Sequence, residues 1–314
     1  MQITAPDSVL YVVAAAIQGD DGKILLSQRH PKAHQGGLWE FPGGKRERGE
    51  TAEQALAREL EEELGLHPTQ MRRLISVRHD YPQRCIFLDV WLVTQFTGQP
   101  ESREGQPWQW VERVRLAELS FPEANWPVIQ ALNLPDTLVI SGDAHDQALP
   151  QGLLDSQQAM ILRRPALSPS DYAQWVRHCR HEAGNRPLLA HNREDLAHDL
   201  GLRGVHLSSS RLVNLTHRPL SHQYWVGASA HTKEDLYRIK ELKLDYALLS
   251  PVKTTLSHPE QPALGWAAFA DMVRDLPLPV FALGGLGPDD LTEAWSWGAQ
   301  GVAGIRGWQV NPLI

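Results

Sequence analysis

Residues 44–66 read Gly-Lys-Arg-Glu-Arg-Gly-Glu-Thr-Ala-Glu-Gln-Ala-Leu-Ala-Arg-Glu-Leu-Glu-Glu-Glu-Leu-Gly-Leu. This order leaves few conformational choices. Thr51 is an N-cap residue with Gln54 three positions on, the pattern of a capping box. Ala52 to Leu64 are mostly strong helix formers. Gly65 is placed to end that helix in a left-handed conformation. Spacings of three and four put Glu59, Glu62 and Glu63 on one helical face. Leu56, Leu60 and Leu64 form an apolar stripe beside them.

Three like charges on one face repel unless something neutralises them. A cluster of hard oxygen donors suits Mg²⁺ or Mn²⁺, and the absence of soft donors disfavours zinc. On composition alone a solvated acidic face is the commoner arrangement. The flanks favour a metal site instead. Gly43-Gly44 permits close backbone approach, including a Gly43 carbonyl aimed at a cation. Arg58 lies inside the acidic run and can hold a carboxylate or phosphate with two hydrogen bonds.

The segment resembles the Nudix box at Gly44, Glu50, Arg58, Glu59, Leu60, Glu62, Glu63, Gly65 and Leu66. The resemblance implies a hydrolase of nucleoside diphosphates linked to another moiety. It makes Glu59, Glu62, Glu63 and the Gly43 carbonyl metal ligands for Mg²⁺ (or Mn²⁺), with Glu50 supporting the loop. It extends toward the MutT branch, which acts on oxidised guanine nucleotides, typically 8-oxo-dGTP. The lead-in Leu38-Trp39-Glu40-Phe41-Pro42 is similar to that of MutT. Arg103-Glu104-Gly105-Gln106 resembles the loop that supplies a distal glutamate, so Glu104 is expected to be a further ligand or general base. Residues 122–129 resemble the segment whose asparagine reads the purine edge, a role that falls to Asn125. Arg29, Arg84 and Phe41 align with residues lining the nucleotide pocket.

The chain of 314 residues has room for two domains. No apolar run is long enough for a transmembrane helix, and residues 1–7 lack the pattern of a signal peptide. Cys85 and Cys179 are the only cysteines, so no disulfide framework is expected and a cytoplasmic location is consistent. The net charge of −7 argues against duplex nucleic acid as main partner. A small nucleotide remains acceptable, because metal ions supply positive charge locally. Oligomeric state is not legible.

Residues 9–17, 23–27, 74–78, 85–95 and 109–114 read as strands, and 126–132 as a closing helix. Together they predict a Nudix α/β/α sandwich with a mixed sheet over residues 1–134. Pro135 marks a boundary. Beyond it come eight short apolar segments, at 137–141, 159–162, 187–190, 204–207, 224–228, 246–249, 280–283 and 301–305. Helical stretches lie between most of them, which predicts a (β/α)8 TIM-type barrel over 137–314, with an open doubly wound sheet as the alternative.

This half resembles the thiamine-phosphate synthase/TenI family through His191-Asn192-Arg193, Gly204-Val205-His206-Leu207, Gly227-Ala228-Ser229-Ala230-His231-Thr232, Ser250-Pro251-Val252 and Leu283-Gly284-Gly285. Gly284 and Gly285 are expected to cradle a phosphate with backbone N–H groups, assisted by Thr255. Arg163, Arg164, Ser229 and His231 are candidates for the barrel mouth. The catalytic pattern departs from the family. Asn192 and Arg211 stand where metal-binding aspartates are expected, His258 where a lysine is, and Ser250 where the tautomerase has its histidine. The reading is a degenerate barrel that binds a phosphorylated ligand or plays a structural part; the alternative is a Nudix hydrolase of another nucleoside or thiamine-related diphosphate, with this half an active thiamine-phosphate synthase or a phospho-ligand binding module.

Overall fold

A computed structural model describes residues 9–30, 35–82, 84–142, 158–255, 260 and 262–305. His258 and the side chain of Arg84 lie outside the described residues. The main division of the chain falls between Leu134 and Pro135.

The first unit is built on a mixed sheet. Strands β1 (Val9–Gln18), β2 (Ile24–Gln28), β3 (Trp39–Glu40), β5 (His67–Tyr81) and β6 (Arg84–Thr97) run in the order β3-β2-β1-β6-β5. Strand β4 (Gly43–Lys45) pairs with β1, and β7 (Trp108–Val111) with β2. Only β1 and β6 pair in parallel; the other pairings are antiparallel. Alternate residues of β1 serve two cores. Val13, Ala15 and Ile17 pack under helix α1 (Ala52–Leu64). Ala14 and Ala16 face α2 (Trp126–Asn133) on the other side. The sheet is therefore covered on both faces, with Leu56, Leu60 and Leu64 of α1 fully buried. The cap of α1 is fully formed: Thr51 Oγ1 accepts from the Gln54 N–H at 3.2 Å, and Gln54 Oε1 accepts from the Thr51 N–H at 2.9 Å.

Two expectations shift. Strand β5 starts at His67 rather than residue 74, because its polar first half pairs with the long apolar β6 and needs no buried face of its own. Strand β7 ends at Val111, and Arg113–Glu118 form a 3-10 turn instead of extending it.

The second unit is a closed barrel of eight parallel strands: β8 (Thr137–Ile140), β9 (Ala159–Leu162), β10 (Leu188–His191), β11 (Gly204–Leu207), β12 (Trp225–Ala230), β13 (Tyr246–Leu249), β14 (Val280–Leu283) and β15 (Gly301–Gly304), with β15 pairing back to β8. The open sheet is thereby excluded. The intervening described helices include α3 (Pro169–Glu182), α4 (Glu194–Asp199), α5 (Ser209–Val213), α6 (Lys233–Glu241), α7 (Gly265–Val273) and α8 (Leu291–Ser296). The strands are short and buried along almost their whole length, as parallel strands covered on both sides must be. No described helix is long and apolar enough to cross a membrane.

Candidate active site

The acidic face of α1 meets the turn into β4. Gly44 lets the chain pass close to the Glu59 carboxylate: a Cβ there would stand 2.3 Å from Glu59 Oε2 and push that side chain aside. The neighbouring Gly43 N–H donates to Glu63 Oε2 at 3.1 Å. Arg58 is the hub of the charged network. Its guanidinium donates to both oxygens of Glu50 (2.8 and 3.1 Å), to Glu59 Oε1 at 2.9 Å, to Glu62 Oε2 at 3.1 Å and to the Lys45 carbonyl at 3.1 Å. Glu50 is held at about 2 by those Arg58 hydrogen bonds. It supports the loop from a position tied to Arg58.

The other carboxyls are short of positive charge. Burial pushes Glu63 up to about 8. The Gly43 N–H opposes this, and Glu40, Glu59 and Glu104 add to it. Burial also raises Glu59, against Arg58 and with help from Glu62 and Glu104. Glu40 is raised by burial as well, even though it forms an ion pair with Arg29. Glu104 is exposed on the loop between β6 and β7. The structure thus brings Glu59, Glu63 and Glu104 into one electrostatic group, with Glu62 reached through Arg58. Among the described residues no three acidic, histidine or cysteine side chains already converge as a metal-ligand set. The donors facing the site are all oxygens, and their mutual repulsion is what a hard divalent cation relieves, so the residues present fit such an ion.

Away from the helix, Phe41 is buried and stacks on Phe121 with ring centroids 5.7 Å apart. Asn125 is 7% exposed, in the 3-10 turn Glu123–Asn125 that leads into α2. Tyr81 touches the same turn: its hydroxyl accepts from the Ala124 N–H at 3.4 Å. His79 lies 3.6 Å from the Glu123 carboxylate and packs on Tyr81. Phe41, Ala124, Tyr81 and Phe121 belong to one cluster, which places Phe41 and the Asn125 turn at one side of the sheet. The sequence reading missed Glu40, Tyr81, Phe121 and Gln106. Glu40 was legible in principle, lying inside the quoted lead-in. The two aromatics carry no signal beyond their apolar character.

In the barrel, Gly284 and Gly285 follow β14 with φ of 103° and 64°. The chain after β13 folds onto them: the Val252 N–H donates to the Leu283 carbonyl at 2.9 Å and the Lys253 N–H to the Gly284 carbonyl at 3.0 Å. Thr255 is half-buried in that same connection. Asn192 is locked to Ser208 by two hydrogen bonds of 2.8 and 3.1 Å. Arg211 is paired with Glu194 at 2.5 Å. His206, fully enclosed, contacts Ser229 Oγ through Nε2 at 3.0 Å and the Tyr246 hydroxyl through Nδ1 at 3.2 Å. Burial pushes His191 down to about 4, with Arg163 adding to the effect. His231 Nδ1 meets the Ser250 carbonyl at 2.9 Å.

An acidic helix of this construction on a doubly covered mixed sheet, followed by a closed parallel barrel, defines the class. Residues 12–131 match the NUDIX domain model and residues 139–308 the thiamine monophosphate synthase model. The chain belongs to the Nudix family in its first half and to the thiamine monophosphate synthase family in its second, and it is a Nudix hydrolase. Among its relatives, the 8-oxo-dGTP diphosphatase of Escherichia coli (strain K12) is 41% identical over 123 residues, which are 39% of this chain and 95% of that protein. The CTP pyrophosphohydrolase of the same organism is 40% identical over 119 residues, 38% of this chain and 88% of that protein. The thiamine-phosphate synthase of Albidiferax ferrireducens is 33% identical over 119 residues, covering 37% of this chain and 54% of that relative.

Proposed function

We propose that the first unit is a Mg²⁺-dependent nucleoside triphosphate pyrophosphohydrolase that prefers 8-oxo-dGTP and releases the monophosphate and pyrophosphate, so sanitising the nucleotide pool. The observation that carries this reading is the cluster where α1 meets β4: half-buried Glu63 held by the Gly43 N–H, beside Glu59 and Glu62 on Arg58, with burial and the neighbouring Glu40, Glu59 and Glu104 pushing the Glu63 carboxyl up. Such a group is stable as an anion only beside a cation. Glu59, Glu62, Glu63 and the Gly43 carbonyl would hold it, with Glu104 as a further ligand or base. A bound Mg²⁺ would lower the pKa of water and neutralise charge building on the phosphoryl oxygens.

The chain's own residues then supply position. Arg58 fixes the orientation of Glu59, and the Gly43 N–H fixes that of Glu63. The glutamate that stays unprotonated accepts a proton from the attacking water. The water oxygen forms a bond to one phosphorus of the α–β phosphoanhydride as that bond breaks, and the phosphate on the other side of the broken bond leaves with the bonding electrons. Arg29 and Arg84 are assigned to the nucleotide and Phe41 to the base. Asn125, whose amide both donates and accepts, reads the purine edge. Two relatives of nearly equal identity are named for different nucleotides. A turnover panel of 8-oxo-dGTP, dGTP and CTP therefore tests the base assignment directly. Faster turnover of CTP than of 8-oxo-dGTP removes it, while loss of all turnover on adding a chelator supports the metal.

For the barrel we propose binding of a phosphorylated ligand at Gly284, Gly285 and Thr255 without thiamine-phosphate synthesis. Asn192 and Arg211, both engaged by neighbours, replace the carboxylates that a Mg-pyrophosphate would need. A rise in melting temperature with thiamine phosphate, together with no product from the pyrimidine pyrophosphate and thiazole phosphate, supports this. Product formation overturns it.

A further inference from the structure

The last carbonyls of any α-helix lack partners within the helix. At the end of α1 they are taken up by the loop that carries Glu104. The Glu101 N–H donates to the Leu64 carbonyl and the Arg103 N–H to the Glu63 carbonyl, both at 3.0 Å. The Arg103 guanidinium donates to the Glu61 carbonyl at 2.9 Å and to the Glu61 carboxylate at 2.6 Å. It crosses directly over Gly65, where a Cβ would come within 2.7 Å of it. The left-handed glycine that ends the helix (φ 67°) thus also leaves the path for that arginine.

One side chain does more than hold the loop down. Gln106 Nε2 donates to the Glu63 carbonyl at 3.0 Å, and Gln106 Oε1 accepts from the Glu104 N–H at 3.1 Å. Ser102 Oγ adds a contact to the same Oε1 at 3.3 Å. The two ends of one planar amide therefore touch the backbones of two carboxylate residues from segments far apart in the chain. The assignment of its ends is fixed, because one partner is a carbonyl and the other an N–H. Glutamate at this position could not donate to Glu63, and asparagine is one methylene short of spanning the pair.

We infer that Gln106 is a positioning residue for hydrolysis, bridging the backbones of Glu63 and Glu104 and so setting the separation of their carboxylates across the active site, with Arg103 anchoring the same loop. This rests on the pyrophosphohydrolase reading above, and specifically on Glu104 acting in the reaction. Glu104 is the exposed member of the group, and it is carried by a loop of polar residues. Among the described residues, the other ties of that loop to α1 are the Arg103 guanidinium and the backbone hydrogen bonds from Glu101 and Arg103.

The test is a cycle in the full-length chain with 8-oxo-dGTP and Mg²⁺, using Q106A, E104Q and the double variant. Q106A is expected to lower kcat by about 10- to 100-fold with KM little changed, the scale of a catalytic group displaced by about 1 Å. E104Q is expected to lower it at least as much. The double variant should lose no more than about twofold beyond E104Q, because a residue acting through Glu104 has nothing left to position. A Q106A enzyme with wild-type kcat overturns the inference, as does a double variant whose losses multiply. E104Q at wild-type turnover overturns it too, by removing the group being positioned.

Failure of the underlying reading looks different: the wild-type chain then shows no pyrophosphate release, or E59Q and E63Q retain it. In that event crystal structures of wild type and Q106A decide the bridge alone. A shift of residues 101–106 relative to α1 supports it, and an unmoved loop overturns it. Melting temperatures of wild type, Q106A and E104Q measured side by side serve as the control for folding.

Discussion

The two sites solve opposite electrostatic problems. On α1 of the Nudix unit half-buried carboxyls lie beside one another, and the Arg58 cation is shared among Glu50, Glu59 and Glu62. Around His206 in the barrel the buried polar groups are neutral: a histidine flanked by a serine and a tyrosine, with a second histidine stacked 6.3 Å away. The first arrangement is incomplete without added positive charge. The second satisfies itself, every ring nitrogen of His206 having a hydroxyl within reach. A site that stores repulsion is built to bind an ion and do chemistry with it, whereas a satisfied neutral network shapes a cavity.

The contrast can be broken most sharply at Glu63. Glu63→Gln removes the proposed ligand and its half-buried carboxyl together, and pyrophosphate release from 8-oxo-dGTP is expected to fall roughly 100- to 1,000-fold. Retained turnover with unchanged folding would end the argument for the acidic site. Next in size is Asn125→Ala, expected to cut the preference for 8-oxo-dGTP over dGTP by about tenfold, the worth of one good hydrogen bond. Equal losses on both nucleotides would reassign Asn125 to the turn.

The pH responses of the two units should oppose each other. Glu63 titrates near 8 when folded against 4.5 when free. Between those values the folded form keeps a proton that the unfolded form releases, so metal-free stability of the Nudix unit falls as pH rises from 4.5 to about 8. Added Mg²⁺ should cancel that fall. His191 titrates near 4 when folded against 6.5 when free. There the unfolded form takes up the proton first, so barrel stability is intact above 6.5 and drains away as pH falls toward 4. Hydrogen exchange in the intact chain, read separately for peptides from 9–134 and 158–305, distinguishes the slopes, and parallel slopes would refute the comparison. Smallest of all, Tyr81→Phe removes one long hydrogen bond to the Asn125 turn. A loss of preference of about twofold, without change in melting temperature, is the expected signature.

Much of this was written in the sequence, for identifiable reasons. Helix α1 announces itself because cap, stripe and terminator are local, each within a few residues of the next. The barrel strands stand out because a strand buried on both faces has to be continuously apolar. Strands β3 and β4, of two and three residues, are too short to show any period. The polar start of β5 is extended only because β6 lies alongside. The site divides in the same way. Glu59, Glu62 and Glu63 share a helix, so spacing alone groups them. Gln106 and Glu63 lie 43 positions apart in the chain and meet only once it has folded, and nothing in the string Arg103-Glu104-Gly105-Gln106 marks the glutamine's partner. Glu40 carries no such signal, because one acid in an aromatic stretch has the pattern of a surface residue.

The closing seam of the barrel has a consequence for biosynthesis. Its first strand, Thr137–Ile140, has its final neighbour in Gly301–Gly304, so the ring stays open until nearly all of that unit has been translated. An open ring presents two raw edges to the crowded cell. The Nudix sheet finds all its partners before residue 112. During synthesis the strand pairings of the upstream sheet can thus be complete while the downstream ring still waits for its last rung, and a pause late in the message would prolong the exposure of the ring's edges.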